Sequence, residues 1–352
     1  MYKHMMLDGG NIGMIALPLT ISQLYNDKEK TIRYCVEAAK LAHEAGAEVV
    51  SLTGLLPSAT QIGADIKEAV NNAGIVIKVT TGHATTTATI ILSINRILNE
   101  SNRVLENEDV CVLGVGSIGS ATVKLMLSVL PPPRTLTLCD LPSKMNNMLK
   151  LKTELKTKFN YTGDVRLAYT DRARIPDEVY KATLIIGATN SANSLKADYL
   201  KTGTLIVDDS GPHCISPESI IDRFLSKKDV LMTEGGVLEI PGTIINTLSF
   251  PKEIDTNIFT HYKSHFVSEK ELTGCILSGL LSFMDDKIKP TIGQVETIDS
   301  ITNYNYLIKL KYKGAKLHFE NFILPTDLIH AFTHKSKRDA DNSIEIYVGR
   351  NE

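Results

Sequence analysis

Chemistry is first legible between Val110 and Met126, where Val-Cys-Val-Leu-Gly114-Val-Gly116-Ser117-Ile118-Gly119-Ser-Ala-Thr-Val-Lys-Leu-Met reads as a buried strand, a three-glycine turn and a helix start. Such a turn can cradle a phosphate. Gly114 permits the tight bend, Gly116 lets backbone approach a pyrophosphate, and Gly119 lets the helix pack close to the sheet with its N-terminus facing the anion. Ser117 and Ile118 complete the binding turn. Asp140 ends the apolar run Leu136-Thr-Leu-Cys-Asp140 at about the separation expected of a carboxylate that accepts ribose hydroxyls. The pattern points to a dinucleotide, with NADH favoured over NADPH because a carboxylate there repels a 2′-phosphate unless Lys144 compensates.

Other candidates sit at strand ends. Ala188-Thr189-Asn190 follows the apolar run Leu184 to Ile186 and could flank a nicotinamide ribose, although a plain strand exit would look the same. Asp208 ends the run Leu205 to Asp208 and is grouped with these cofactor-binding residues. Gly235 and Gly236, after Glu234, could close over a nicotinamide or simply make a tight turn. His83 lies between a predicted strand and a predicted helix, where it could protonate an oxyanion or cap the helix. His213 follows Gly211-Pro212 and reads equally as a turn residue. Cys275 lies between Gly274 and Gly279 in a predicted helix; residue type alone makes it a small packing residue.

Bulk composition narrows the function. With 352 residues, 43% hydrophobic and 22% charged, the chain has enough apolar material for about two domains. A net charge of −2 without a lysine-rich block argues against nucleic acid as a partner. No apolar run is long enough for a membrane span and no signal-peptide pattern opens the chain, so a cytoplasmic location is expected. Five widely spaced cysteines with no CxxC suggest free thiols and no metal site. Whether the chain is a homo-oligomer is left open.

These residues need elements to hold them. Helical spacing at Thr31 to Ala45, Gln61 to Asn72 and Ala84 to Asn99 alternates with strand signals at Glu48 to Leu52 and Ile75 to Val79. Beyond the glycine turn the alternation continues through 136–139, 143–159, 165–169, 184–188, 205–208 and 230–233. The fold class is therefore α/β, a Rossmann-like doubly wound parallel sheet with an α/β N-terminal substrate domain. The expected boundaries are a substrate domain at 1–100, completed by a helix at 268–286, and a dinucleotide-binding domain at 101–267. The period-2 runs Tyr306 to Tyr312 and Lys316 to Phe319, joined at Lys313-Gly314, predict a small β-rich appendage over 287–352.

Several segments, taken in order, resemble the long-chain acyl-(acyl carrier protein) reductases of cyanobacterial alkane biosynthesis. They are Lys30 to Gly54, Thr80-Thr81-Gly82, Gly114 to Ser120, Leu205 to Pro212, Glu234 to Val237 and Glu271 to Ser282. The resemblance implies reduction of an acyl thioester, carried by acyl carrier protein or coenzyme A, to an aldehyde. It places Cys275 as the nucleophile that takes the acyl group. The family's histidine near His83 lies two places along, where Thr85 stands. The family's N-terminal segment is expected to be missing before Leu17, and its usual cofactor is NADPH, against the Asp140 reading.

Two other functions fit the same layout. A shikimate- or amino-acid-dehydrogenase-like enzyme would move hydride to a ketone or imine without a thiol, using an acid–base group such as His83. A non-catalytic NAD(H)-binding regulatory protein would use the tail to bind a partner.

Overall fold

The computed structural model describes residues 2–171, 174–249 and 269–333, and the chain divides into two compact units. The first comprises residues 1–89 and 236–313. Strands β1 (Tyr2–Leu7) and β2 (Gly10–Ile15) form a hairpin turned at Asp8-Gly9, and β12 (Ile245–Ser249) pairs antiparallel with the other edge of β1. Helices α1 (Ile21–Asn26), α2 (Lys28–Glu44), α3 (Leu56–Ala59) and α4 (Ala64–Asn72) surround the parallel pair β3 (Val49–Ser51) and β4 (Lys78–Thr80). Their core is made by Cys35 and Ala39 of α2, Ile66 and Val70 of α4, and Leu52 and Val79. Helix α5 (His83–Glu100) starts in this unit. Strand β11 (Val237–Glu239) pairs with β13 (Glu271–Thr273), which runs directly into α10 (Gly274–Met284); α11 (Thr297–Lys309) follows.

The second unit comprises residues 90–235 and the chain from 314 onward. It contains β5 (Asp109–Leu113), α6 (Ser117–Val129), β6 (Thr135–Asp140), α7 (Met145–Thr157), β7 (Asp164–Tyr169), α8 (Asp177–Tyr180) and β8 (Leu184–Gly187). Then come β9 (Thr204–Asp208), α9 (Pro217–Lys227), β10 (Val230–Glu234) and a short hairpin, β14 (His318–Phe319) with β15 (Phe322–Ile323). The six long strands are parallel in the order β10-β9-β8-β5-β6-β7. Strand order therefore reverses between β5 and β8, the switch point where ligands bind in open α/β sheets. The chain folds as a Rossmann-like doubly wound sheet.

Apolar runs mark the strands that are covered on both faces. Val110, Val112, Leu136, Leu138, Ile185, Ile186, Ile206 and Leu231 are fully buried, as a sheet covered on both faces requires. Cys111 and Cys139 lie among them as small hydrophobes: burial pushes the Cys139 thiol up to about 12 and Cys111 well above its ordinary value. Between α9 and β10, buried Arg223 binds Asp229 through two hydrogen bonds of 3.0 and 2.9 Å.

Three boundaries differ from the sequence reading. Residues 237–249 and their strands β11 and β12 belong to the first unit, not to the dinucleotide domain, and the division between the units falls at 89/90, inside α5. The expected β-rich appendage over 287–352 is not one body. Tyr306 to Lys309 is the end of helix α11, whose buried positions are Ser300, Asn303 and Leu307, and two polar residues in that stripe conceal the helical period. Asn303 is buried because its Oδ1 accepts a 2.7 Å bond from Thr85 and its Nδ2 donates to Asp299. The hairpin β14–β15 then belongs to the second unit, and the chain after 333 lies outside the described residues.

Candidate active site

At the end of β5 the chain turns at Gly114, whose φ of 93° suits glycine. Its N–H donates to the Cys139 carbonyl at 2.8 Å, while a Cβ at this position would run into the Ala188 carbonyl, whose carbon would lie at 2.7 Å. Val115 N–H donates to Asp140 Oδ2 at 2.8 Å, and Leu141 N–H donates to Oδ1 at 2.7 Å. Asp140 thus braces the turn from the neighbouring strand while staying half-exposed. Gly116 is the N-cap of α6 and supplies no side-chain cap to its first N–H groups. Around Gly116 a Cβ would meet nothing within 4 Å, whereas at Gly119 it would collide with the Gly114 carbonyl. Ser117 and Ile118 lie in the first turn of α6.

This turn fits a dinucleotide. An open Gly116 leaves room for a pyrophosphate at a helix N-terminus, and each Asp140 oxygen keeps a second lone pair for a ribose hydroxyl. Ala188 and Thr189 are half-buried and Asn190 is exposed beside the switch point; Thr189 N–H is held by Ser210 Oγ at 3.1 Å.

Asp208 behaves differently from its expected role. Its side chain is fully buried, so it presents no atom to a cofactor. Instead Oδ1 accepts from Ser210 N–H at 3.0 Å, and Oδ2 accepts from Cys214 N–H at 3.0 Å and lies 3.2 Å from His213 Nδ1. Gly235 is likewise a packing residue: its N–H donates to the Asp208 carbonyl at 3.0 Å, and a Cβ would lie 3.0 Å from that of Asp209. Gly236, in the first unit, accepts the Gly274 N–H at 3.0 Å.

Beyond Asp208 the second unit holds a cluster that no sequence motif assembles. His213 Nε2 lies 3.7 Å from Glu234 Oε1, and Glu234 Oε2 lies 3.9 Å from His318 Nε2. Glu234 Oε1 also accepts the Glu320 N–H at 2.7 Å, and the Phe319 ring stacks on His213 at 4.5 Å between centroids. Burial lowers the His213 pKa, but its bond to Asp208 and the charges of Asp208, Glu234 and Glu320 outweigh that, so the net shift is upward. Burial, reinforced by the Asp208 and Glu234 charges, drives Asp209 well above the ordinary carboxylate range, while His213 opposes the rise. Glu234 is legible in the sequence as a carboxylate ending a buried strand, a signal that the two glycines after it overshadow.

In the first unit the structure sets the loop that leads into His83 against the helix start that carries Cys275, almost two hundred positions away. The loop after β4 is pinned by Thr80 Oγ1, which accepts from Gly82 N–H at 3.2 Å and Thr291 N–H at 3.1 Å. Gly82 has a φ of 70° and lies so close to α10 that a Cβ would be 2.8 Å from Cys275 Cα and 2.9 Å from Ser278 Oγ. His83 opens α5, is 9% exposed, and is held by burial at a pKa of about 4. At neutral pH it is an uncharged hydrogen-bonding ring rather than an acid. Cys275 is the second residue of α10, half-buried, with its Sγ 3.4 Å from Thr273 Oγ1. Ser278 Oγ donates to the Cys275 carbonyl at 2.9 Å and shares a 2.8 Å bond with Ser51. Among the described residues no cluster of His, Cys, Asp and Glu could hold a metal ion, and no helix is long and apolar enough to cross a membrane.

No family model and no curated protein matches the chain. Solved structures that it resembles include a component of dipicolinate synthase from Bacillus halodurans, with 10% identity over 53% of this chain and 57% of that one and a TM-score of 0.35. L-tryptophan dehydrogenase from Nostoc punctiforme is similar at 14% identity over 58% of this chain and 54% of that one, with a TM-score of 0.34. Shikimate 5-dehydrogenase from Listeria monocytogenes, solved with shikimate and NAD, is similar at 14% identity over 46% and 54%, with a TM-score of 0.29. The chain thus spans less than two thirds of the length of each of these structures.

Proposed function

We propose that the chain is a nicotinamide-dinucleotide-dependent oxidoreductase that transfers hydride directly to the carbon of a ketone, aldehyde or imine. The observation that carries this reading is the glycine turn: a positive-φ Gly114, an open Gly116 and a packed Gly119 at the switch point of a six-stranded parallel sheet, braced by Asp140. When bound, the reduced cofactor supplies hydride. The protein's part is to hold the pyrophosphate on the first turn of α6, to accept ribose hydroxyls at Asp140, and to flank the ribose with Ala188, Thr189 and Asn190. A carboxylate at 140 favours NADH over NADPH. The test is calorimetric titration with NADH and NADPH, followed by turnover assays with 2-oxo acids, aldehydes and cyclic imines. NADH binding with turnover of one of these classes supports the reading; no binding of either cofactor overturns it.

A second reading rests on Cys275, which sits in the first turn of α10 with a half-buried thiol. As the resemblance to acyl-(acyl carrier protein) reductases implies, its thiolate would attack an acyl thioester and expel the carrier thiol, which takes a proton. Hydride would then reach the enzyme-bound acyl carbon and release an aldehyde and the thiolate. Mass spectrometry after exposure to acyl thioesters, with Cys275→Ala as control, separates the two. An acyl adduct on Cys275 supports covalent catalysis, and carbonyl turnover unchanged in Cys275→Ala supports direct transfer.

A further inference from the structure

We infer that His213, oriented by Asp208 and faced by Glu234, is the proton donor and acceptor of the hydride-transfer reaction; this rests on the oxidoreductase reading above. Reduction of a carbonyl needs a proton at oxygen as well as hydride at carbon, and imidazole is the side chain most often used to deliver it. His83 is the group that sequence suggests, yet it is 9% exposed and uncharged at neutral pH. His213 has the opposite environment.

The Asp208 carboxylate is fixed by Ser210 and Cys214 N–H groups and lies 3.2 Å from Nδ1. Acceptor-only Asp208 assigns the Nδ1 proton to that bond, which makes Nε2 the working atom. At 3.7 Å from Glu234 Oε1, Nε2 is beyond hydrogen-bond length, and the side chain is 21% exposed, so its proton can pass to an acceptor other than Glu234. Phe319, stacked on the ring, restricts its swing. Its position is also apt: it follows the carboxyl end of β9, on the edge of the sheet that carries the glycine turn and Ala188.

The groups facing the ring come from three places. The end of β9 contributes Asp208 and the loop after it Asp209; the end of β10 contributes Glu234; the β14–β15 hairpin contributes Phe319 and Glu320, with His318 near the other oxygen of Glu234. His318 Nδ1–H donates to the Lys316 carbonyl at 2.7 Å, so its Nε2 is the atom turned to Glu234. In the forward step the carbonyl carbon receives hydride from the reduced nicotinamide, the π pair moves to oxygen, and oxygen takes the Nε2 proton. The products are an alcohol, oxidised cofactor and neutral imidazole, which solvent reprotonates.

The test uses the full chain and His213→Asn, which keeps a donor for Asp208 and lacks Nε2, together with Glu234→Gln. NADH affinity is measured by calorimetry, kcat/KM over pH with the carbonyl compound found active in the panel above, and the imidazole titration by NMR. Expected results are wild-type NADH affinity in His213→Asn with a loss of about 100-fold or more in kcat. In wild type the reductive rate falls at alkaline pH as His213 deprotonates; that limb vanishes in His213→Asn and moves to lower pH in Glu234→Gln. The NMR titration of His213 moves the same way. A wild-type rate and pH profile in His213→Asn, with NADH bound, overturns the proposal alone, as does a His213 ring that titrates below an ordinary histidine. Failure of the wild-type chain to bind NADH overturns the oxidoreductase reading and this proposal with it.

Discussion

Two glycines of one turn, Gly116 and Gly114, should respond to the same methyl group in opposite ways, and Gly116→Ala is the informative substitution. Its Cβ would enter space that no protein atom occupies within 4 Å, at a φ of −75° that alanine adopts without strain. Stability should change little: alanine is a poorer N-cap than glycine, a cost of about 1 kcal/mol, or roughly 2–4 °C in Tm for a chain of this size. If that space is where a pyrophosphate packs, the methyl overfills the complex by about 1–3 kcal/mol, a loss of roughly 5–150-fold in NADH affinity. Gly114→Ala should fail differently. A φ of 93° adds about 1–2 kcal/mol of strain, and overlap with the Ala188 carbonyl adds about 1–3 more. Together that is a sizeable part of the few kcal/mol that holds a domain folded, so Gly114→Ala should melt early. Thermal melts and NADH titration of both variants are the assay. Wild-type NADH affinity in Gly116→Ala would refute the placement of the pyrophosphate, and an intact melt in Gly114→Ala would refute the packing account of the turn.

Asp140→Asn keeps an acceptor for the Val115 or Leu141 N–H and removes the charge, so kcat/KM for NADPH relative to NADH should rise by about fivefold or more. His83 supplies a pH effect on stability. Its folded pKa of about 4 lies below the unfolded value near 6.5, so the unfolded chain binds the proton more tightly; the stabilisation is complete above 6.5 and is lost as pH falls toward 4, by about 3 kcal/mol. Denaturant melts at pH 7.5 and 4.5 should show that loss in wild type and a shallower one in His83→Asn. Asp229→Ala strands the buried Arg223 guanidinium, and chemical denaturation should show a loss of about 3–5 kcal/mol.

The second unit is readable from sequence because its signals are local. Strands β5, β8 and β9 are mainly apolar runs of four or five residues, and the turn at Gly114 to Gly119 announces its geometry within six positions. Asp140 is legible for the same reason, although its role in bracing Val115 is not. The tail misleads because α11 buries Ser300 and Asn303, and the burial of Asn303 depends on a partner at Thr85 that no periodicity reveals. The hairpin β1–β2 carries an Asp8-Gly9 turn, a short-range signal that the helical and strand patterns downstream do not contain. Asp208 shows the limit most clearly: a carboxylate at a strand end faces ligand or protein according to the loop that follows it, and here Ser210, His213 and Cys214 claim it.

The distribution of thiols makes this protein its own reporter. Cys35 is buried in the first unit and Cys111, Cys139 and Cys214 in the second, each with burial holding its thiol protonated, while Cys275 alone of the five is half-buried. A brief pulse of alkylating reagent on the native protein therefore marks Cys275 first, and every later label marks a moment when one named unit has opened. Peptide mass spectrometry of such pulses would time the opening of the two units separately within one unaltered chain.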